Sequence, residues 1–194
     1  MTGLKKLLMW KSASGVRGGL PAEYQRVEYI ESDGTQYIKL SDEFITGVSY
    51  TLVCQSENIS STQIFFGYSA YAGYWFGSKS GKYSISSKSF SNVSITDKVT
   101  AIITFSDKLY ASINGTEVSE AYTNNYNSLT LFGVRGNSTW YYSHVKIFSL
   151  KADGLYDLIP CYRKSDGEIG MYNAVTKEFL TNSGTGTFIK GNDI

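Results

Sequence analysis

One histidine, two cysteines and two prolines are all that 194 residues hold of these types. With His144 alone and no CxxC pair, there is no Cys/His zinc set. A Ser/His/Asp triad would have to use His144, and no G-x-S-x-G turn presents a serine to it. Cys54 and Cys161 are far apart, each inside an apolar strand pattern. Disulfide-stapled secreted domains carry more cysteines, so two buried free thiols are expected, with one disulfide as the alternative. No apolar run approaches the ~18 residues of a membrane span. Residues 7–10 are apolar, but too short for the core of a signal peptide, and no small-residue cleavage site follows. A dominant charge is missing too: 18 basic against 17 acidic residues give a net charge of +1. Bulk attraction to nucleic acid or to anionic lipid is therefore not expected. The phosphate-loop signature and strict internal repeats are also absent.

What the chain does have is aromatic, small and polar residues. Aromatics make up 15% of it, 16 of them Tyr, alongside 19 Gly, 26 Ser and 16 Thr. This composition favours strands and turns over helices and supports adaptable polar contacts at a surface. So many aromatics with so little net charge argue against disorder. The first 20 residues hold Lys5, Lys6, Lys11 and Arg17 and no acid, and within them 12–19 is a Ser/Gly-rich joint. The chain divides into a basic arm and linker, 1–19, and one domain, 20–194. In the arm, Leu4, Leu7, Leu8 and Trp10 fit one helical face. They are read as a partner-docking peptide, the plainer alternative being a frayed terminus.

The domain reads as strands almost throughout. Residues 48–54 alternate, with Val48, Tyr50, Leu52 and Cys54 on one face. Residues 98–105 and 109–113 pair across Ser106-Asp107-Lys108. Asn114-Gly115 is a tight-turn dipeptide that returns 116–122 beside them. Roughly a dozen strands, with turn signals every eight to twelve residues, predict an all-β, two-sheet antiparallel jelly-roll sandwich.

Catalytic constellations are thin. Jelly-roll glucanases place acids at alternate strand positions, because their retaining chemistry needs two carboxyls about 5 Å apart. Glu31 and Asp33 match the first two acids of such a motif, but Gln36 stands where the acid/base glutamate belongs. Asp166 and Glu168 form a second close pair at a turn. No cofactor is expected. Ca²⁺ would find Asp107, Asp153 and Asp166 in loops, without any supporting motif. Three loops instead combine aromatic faces with amide or cationic donors, the equipment of sugar binding. Their candidate ligand residues are Tyr71, Tyr74 and Trp75; Tyr126; and Arg135, Asn137, Trp140 and Tyr141. The competing reading makes the same rings core or strand aromatics.

Both ends of the domain carry long motifs. The opening runs Leu20-Pro21-Ala22-Glu23-Tyr24 through Glu28-Tyr29-Ile30-Glu31-Ser32-Asp33-Gly34-Thr35-Gln36-Tyr37-Ile38. The close runs Leu158-Ile159-Pro160-Cys161-Tyr162-Arg163-Lys164, then Asp166-Gly167-Glu168-Ile169-Gly170-Met171-Tyr172-Asn173, and Phe179-Leu180-Thr181-Asn182-Ser183-Gly184-Thr185-Gly186-Thr187-Phe188. They resemble the concanavalin-like, laminin-G-like jelly-roll modules of phage and prophage structural proteins in gut Firmicutes. The resemblance implies a non-enzymatic virion protein, on tail fibres or head appendages, that binds host cell-surface glycans. It would be assembled in the bacterial cytoplasm with other virion proteins, as a homo-oligomer. A decoration protein without specific glycan binding is the alternative; a glycoside hydrolase or polysaccharide lyase fits less well. Tyr29, Ile30, Tyr37, Ile38, Ile159, Met171, Tyr172 and Phe179 are read as the hydrophobic seam of the terminal strands. The first and last segments are expected to lie side by side.

Overall fold

A computed structural model describes residues 19–56, 61–68, 74–121, 128–135 and 140–194. Among them are nineteen strands and no helix, and so none long and apolar enough to cross a membrane. The first seven are β1 (Tyr24–Arg26), β2 (Ile30–Asp33), β3 (Ile38–Ser41), β4 (Ser49–Ser56), β5 (Gln63–Tyr68), β6 (Trp75–Lys79) and β7 (Lys82–Ile85). Next come β8 (Lys88–Ser89), β9 (Val99–Phe105), β10 (Lys108–Ile113), β11 (Thr116–Ala121), β12 (Leu129–Leu131) and β13 (Gly133–Arg135). The last are β14 (Trp140–Tyr142), β15 (His144–Ala152), β16 (Tyr156–Arg163), β17 (Ile169–Asn173), β18 (Glu178–Thr181) and β19 (Ile189–Lys190).

Two antiparallel sheets pack face to face as a β-sandwich. The larger, of eleven strands, runs β11-β10-β9-β4-β15-β16-β17-β18 and takes in β1, β2 and β19; the smaller, of six, runs β3-β12-β5-β6-β7-β8. Period-two alternation assigns the inner faces. On β4, Tyr50, Leu52, Cys54 and Ser56 are fully buried, while Val48, just before the strand, is partly buried against the core. The Asn114-Gly115 turn joins β10 to β11 with both residues at positive φ, 51° and 77°. That backbone twist suits a two-residue hairpin.

The first and last segments of the domain lie side by side, as expected from the terminal motifs. One side of β15 pairs with β4. Its other side pairs with β2, from His144 opposite Asp33 to Ile147 opposite Ile30, and then with β16 from Leu150 onward. β16 in turn passes to β1, with Cys161 opposite Arg26. The N-terminal segment thus fills a split between β15 and β16. β19 lines the far side of β2, and Val27 bridges to Asp193.

Aromatic rings join the sheets. Phe105 of β9 lies 4.9 Å from Tyr68 and 5.5 Å from Phe66, both on β5. A register shift between Ile64 and Phe66 breaks the alternation of β5, and consecutive Phe65 and Phe66 both join the core. Cys54 and Cys161 are free and buried. Burial pushes both thiols up, Cys161 to about 12, which leaves them protonated and unreactive at neutral pH.

At one open edge a carboxylate ties the sheets. The Ser87 amide and hydroxyl donate to Glu120 of β11 at 3.0 and 2.6 Å. Burial pushes the Glu120 carboxyl up, but the Ser87 and Ser86 hydrogen bonds and the Lys88 charge outweigh it, so its pKa lies below the usual glutamate value. A carboxyl depressed in the folded state stabilises it above the unfolded-state pKa, and that contribution disappears as pH falls through the folded one. The melting midpoint of the wild type is therefore expected to fall more steeply than that of Glu120→Gln as pH drops below about 4.3. Thermal melts of both proteins across the acid range measure this; parallel pH profiles would contradict it.

Candidate functional site

β13 and β14 form a separate two-stranded ribbon with Gly133 opposite Tyr142, Val134 opposite Tyr141 and Arg135 opposite Trp140. Opposed residues project to the same side. Val134 is buried against Ile64 and Trp75 in a small apolar cluster, which fixes that side of the ribbon on the outside of the small sheet. The other side bears Arg135, Trp140 and Tyr142, and Gly133 leaves it bare opposite Tyr142. A Cβ at Gly133 would stand 2.8 Å from the Tyr141 carbonyl and 3.4 Å from the Tyr142 ring, so a larger residue would lift β14 away.

Both roots of the ribbon are anchored. Phe132, between β12 and β13, has a φ of 67°, a conformation rare for a bulky residue. It is held there by its amide on the Phe65 carbonyl at 2.8 Å and its ring on Phe188, 4.8 Å away. Its carbonyl accepts both the amide and the hydroxyl of Ser143, each at 3.0 Å.

Three rings gather on the ribbon's outward side. Tyr37 stacks on Trp140 at 4.1 Å with an interplanar angle of 29°. Trp140 and Tyr142 are nearly parallel, 12° apart, with centroids at 5.7 Å. All three are partly exposed, and Arg135 is exposed beside them. The backbone of Tyr37 is gripped by the loop that follows β18. The Asn182 side-chain carbonyl accepts the Tyr37 amide at 3.2 Å, and the Ser183 amide donates to the Tyr37 carbonyl at 2.8 Å. The other Asn182 side-chain bonds run to Gly184, Thr185 and Gly186 within that loop. The platform is therefore composite, with the opening motif supplying Tyr37 and the closing motif its seat.

Several expected residues lie elsewhere. Tyr74 and Trp75 are not loop-surface rings: they are 1% and 6% exposed. Tyr74 packs 5.4 Å from Phe105 and donates its hydroxyl to the Ser106 carbonyl. Trp75 lies opposite Gly67 across the β5–β6 pair, inside the small cluster. Neither offers a ring face to a dissolved ligand. Tyr141 is 43% exposed, on the Val134 side of the ribbon. Tyr71, Tyr126 and Asn137, like Leu4, Leu7, Leu8 and Trp10 of the arm, lie outside the described residues. Tyr37, read as seam, and Tyr142 join the candidate site.

Glu31 and Asp33 do alternate on β2, but their partners are structural. Glu31 faces Lys146 at 3.9 Å, and Asp33 accepts the Thr35 hydroxyl at 2.9 Å. Gln36 is fully buried. Its carbonyl accepts the Ser32 hydroxyl and the Asp33 amide, both at 2.9 Å, and its amide donates to the Thr187 carbonyl at 3.1 Å. Gln36 is a clasp between the two terminal segments. Asp166 is held by Arg163 through hydrogen bonds of 2.7 to 3.1 Å, and this pairing keeps its carboxyl below the usual aspartate range. Among the described residues, no group of three or more His, Cys, Asp or Glu side chains is placed to hold a metal ion.

No protein-family model matches the chain, and no curated protein matches it in sequence.

Proposed function

We propose that the chain is a non-catalytic, glycan-binding domain of jelly-roll topology, displayed on a phage particle and attaching it to host cell-surface polysaccharide. The observation that carries the glycan reading is the outward platform of Tyr37, Trp140 and Tyr142 on an anchored ribbon. Flat aromatic faces match the C–H side of a pyranose, and an adjacent Arg supplies polar contact. The virion setting rests on the resemblance of the terminal motifs. Stacking adds only about 0.5–1.5 kcal/mol per ring pair beyond area burial, so one site binds weakly. Many copies on a particle would convert weak sites into firm attachment.

The test is an array of host surface polysaccharides probed with the wild type and with Trp140→Ala. Trp140 stacks on the ribbon's outer side, away from the core between the sheets, so the variant is expected to keep its melting transition and lose most of its array signal. An unchanged signal from folded Trp140→Ala would overturn the reading.

A further inference from the structure

Resting on the glycan reading, the geometry points to a narrower ligand class: we propose that the platform takes an anionic glycan, one whose repeating unit carries a carboxylate or a phosphate beside a sugar ring. Arg135 is directly opposite Trp140 in the ribbon ladder, so both side chains project to the outer side. It is the one ionised side chain on the described strands of the ribbon, whose other residues are Gly133, Val134, Trp140, Tyr141 and Tyr142. A guanidinium is donor-only, with five N–H groups in a planar fork. A neutral sugar offers hydroxyls, which need acceptors as well as donors. A carboxylate or phosphate is acceptor-rich and matches the fork in two-point geometry.

The neighbouring polar groups strengthen the inference. Among the described residues, two amides beside Tyr37 are already engaged: Gln36 with Ser32, Asp33 and Thr187, and Asn182 with the backbone of Tyr37 and of its own loop. Arg135, opposite Trp140, is the cation that the described ribbon strands set on the same side as the rings. A sugar ring on the platform would bring a charged substituent to the side of the ribbon that bears Arg135.

The experiment is affinity electrophoresis of the full chain through gels containing polygalacturonate, poly(glycerol phosphate) or dextran. The first two polymers separate a carboxylate from a phosphate source, and dextran is the neutral control. Retardation by one polyanion is expected, weakened on the order of tenfold or more by Arg135→Gln, less by Arg135→Lys, and also by Trp140→Ala. Retardation by dextran that depends on Trp140 but not on Arg135 would overturn the anionic inference and leave the glycan platform standing. Retardation by none of the three polymers, or by a polyanion equally for the wild type, Arg135→Gln and Trp140→Ala, would overturn the inference and remove the support for the platform as well. Melting curves of the variants guard against misfolding, and Arg135→Lys keeps the charge if Arg135→Gln fails to fold.

Discussion

Phe105→Ala is expected to destabilise the protein by about 3–5 kcal/mol, the range for deleting a buried aromatic ring. The ring is fully buried and stands between the sheets, 4.9 Å from Tyr68, 5.4 Å from Tyr74, 5.5 Å from Phe66 and 5.8 Å from Tyr50. The cost of a cavity depends on how far its walls can collapse. Here two walls are pinned by their own hydroxyls. Tyr68 accepts the Ile45 amide at 3.1 Å, and Tyr74 donates to the Ser106 carbonyl. Following the cavity inward would break those bonds, so the upper part of the range is expected. For a domain of this size that corresponds to a fall in melting midpoint on the order of 10 °C. Urea unfolding of the wild type, Phe105→Ala and Phe105→Leu measures it. The leucine variant is expected to recover a large share of the loss. A loss below about 1.5 kcal/mol in Phe105→Ala would mean that the tyrosines move in.

The strands of this core were legible because local chemistry determines them. Alternation identified the inner face of β4 through Tyr50, Leu52 and Cys54, and Asn114-Gly115 marked the β10–β11 hairpin because few other dipeptides accept positive φ twice. The terminal motifs correctly implied paired ends. The aromatic site was only half legible. In a chain this rich in Tyr and Trp, the same residue types build core and surface, and the side a ring faces depends on strand parity and on long-range pairing. Trp75 follows a glycine-containing loop in sequence, yet its position opposite Gly67 turns it under the ribbon. Tyr37 reads with Ile38 as part of the seam of the terminal strands, yet it is the neighbours Gln36 and Ile38 that point inward. Trp140 and Arg135 were visible as a loop pair. Their union with Tyr37 required the closing loop at Asn182, about 40 positions further on, and no local pattern predicts such a contact.

Gln36→Glu is the second large effect, and its sign depends on pH. The substitution restores the acid that a glucanase-like spacing would have at this position, and it changes almost no volume. Ionised, the new carboxylate still accepts the Ser32 hydroxyl and the Asp33 amide, but it turns an oxygen toward the Thr187 carbonyl, where the Gln36 amide now donates at 3.1 Å. Two acceptors would face each other in a fully buried position. A buried charge without a complete set of partners costs about 3 kcal/mol or more. Protonated, the same group donates to Thr187 and reproduces the native clasp. Burial and the carbonyl therefore raise its folded pKa above the unfolded value. A raised folded pKa means that the folded chain keeps a proton which the unfolded chain releases. The variant should match the wild type below about pH 4.3, the unfolded glutamate value. It should then lose stability as pH rises, until the folded group has ionised. Urea unfolding of both proteins at acid and neutral pH gives the difference, and Gln36→Met, which loses the clasp without adding charge, sets the pH-independent baseline. A Gln36→Glu variant as stable as the wild type at neutral pH would show that the two terminal segments are not held together through Thr187.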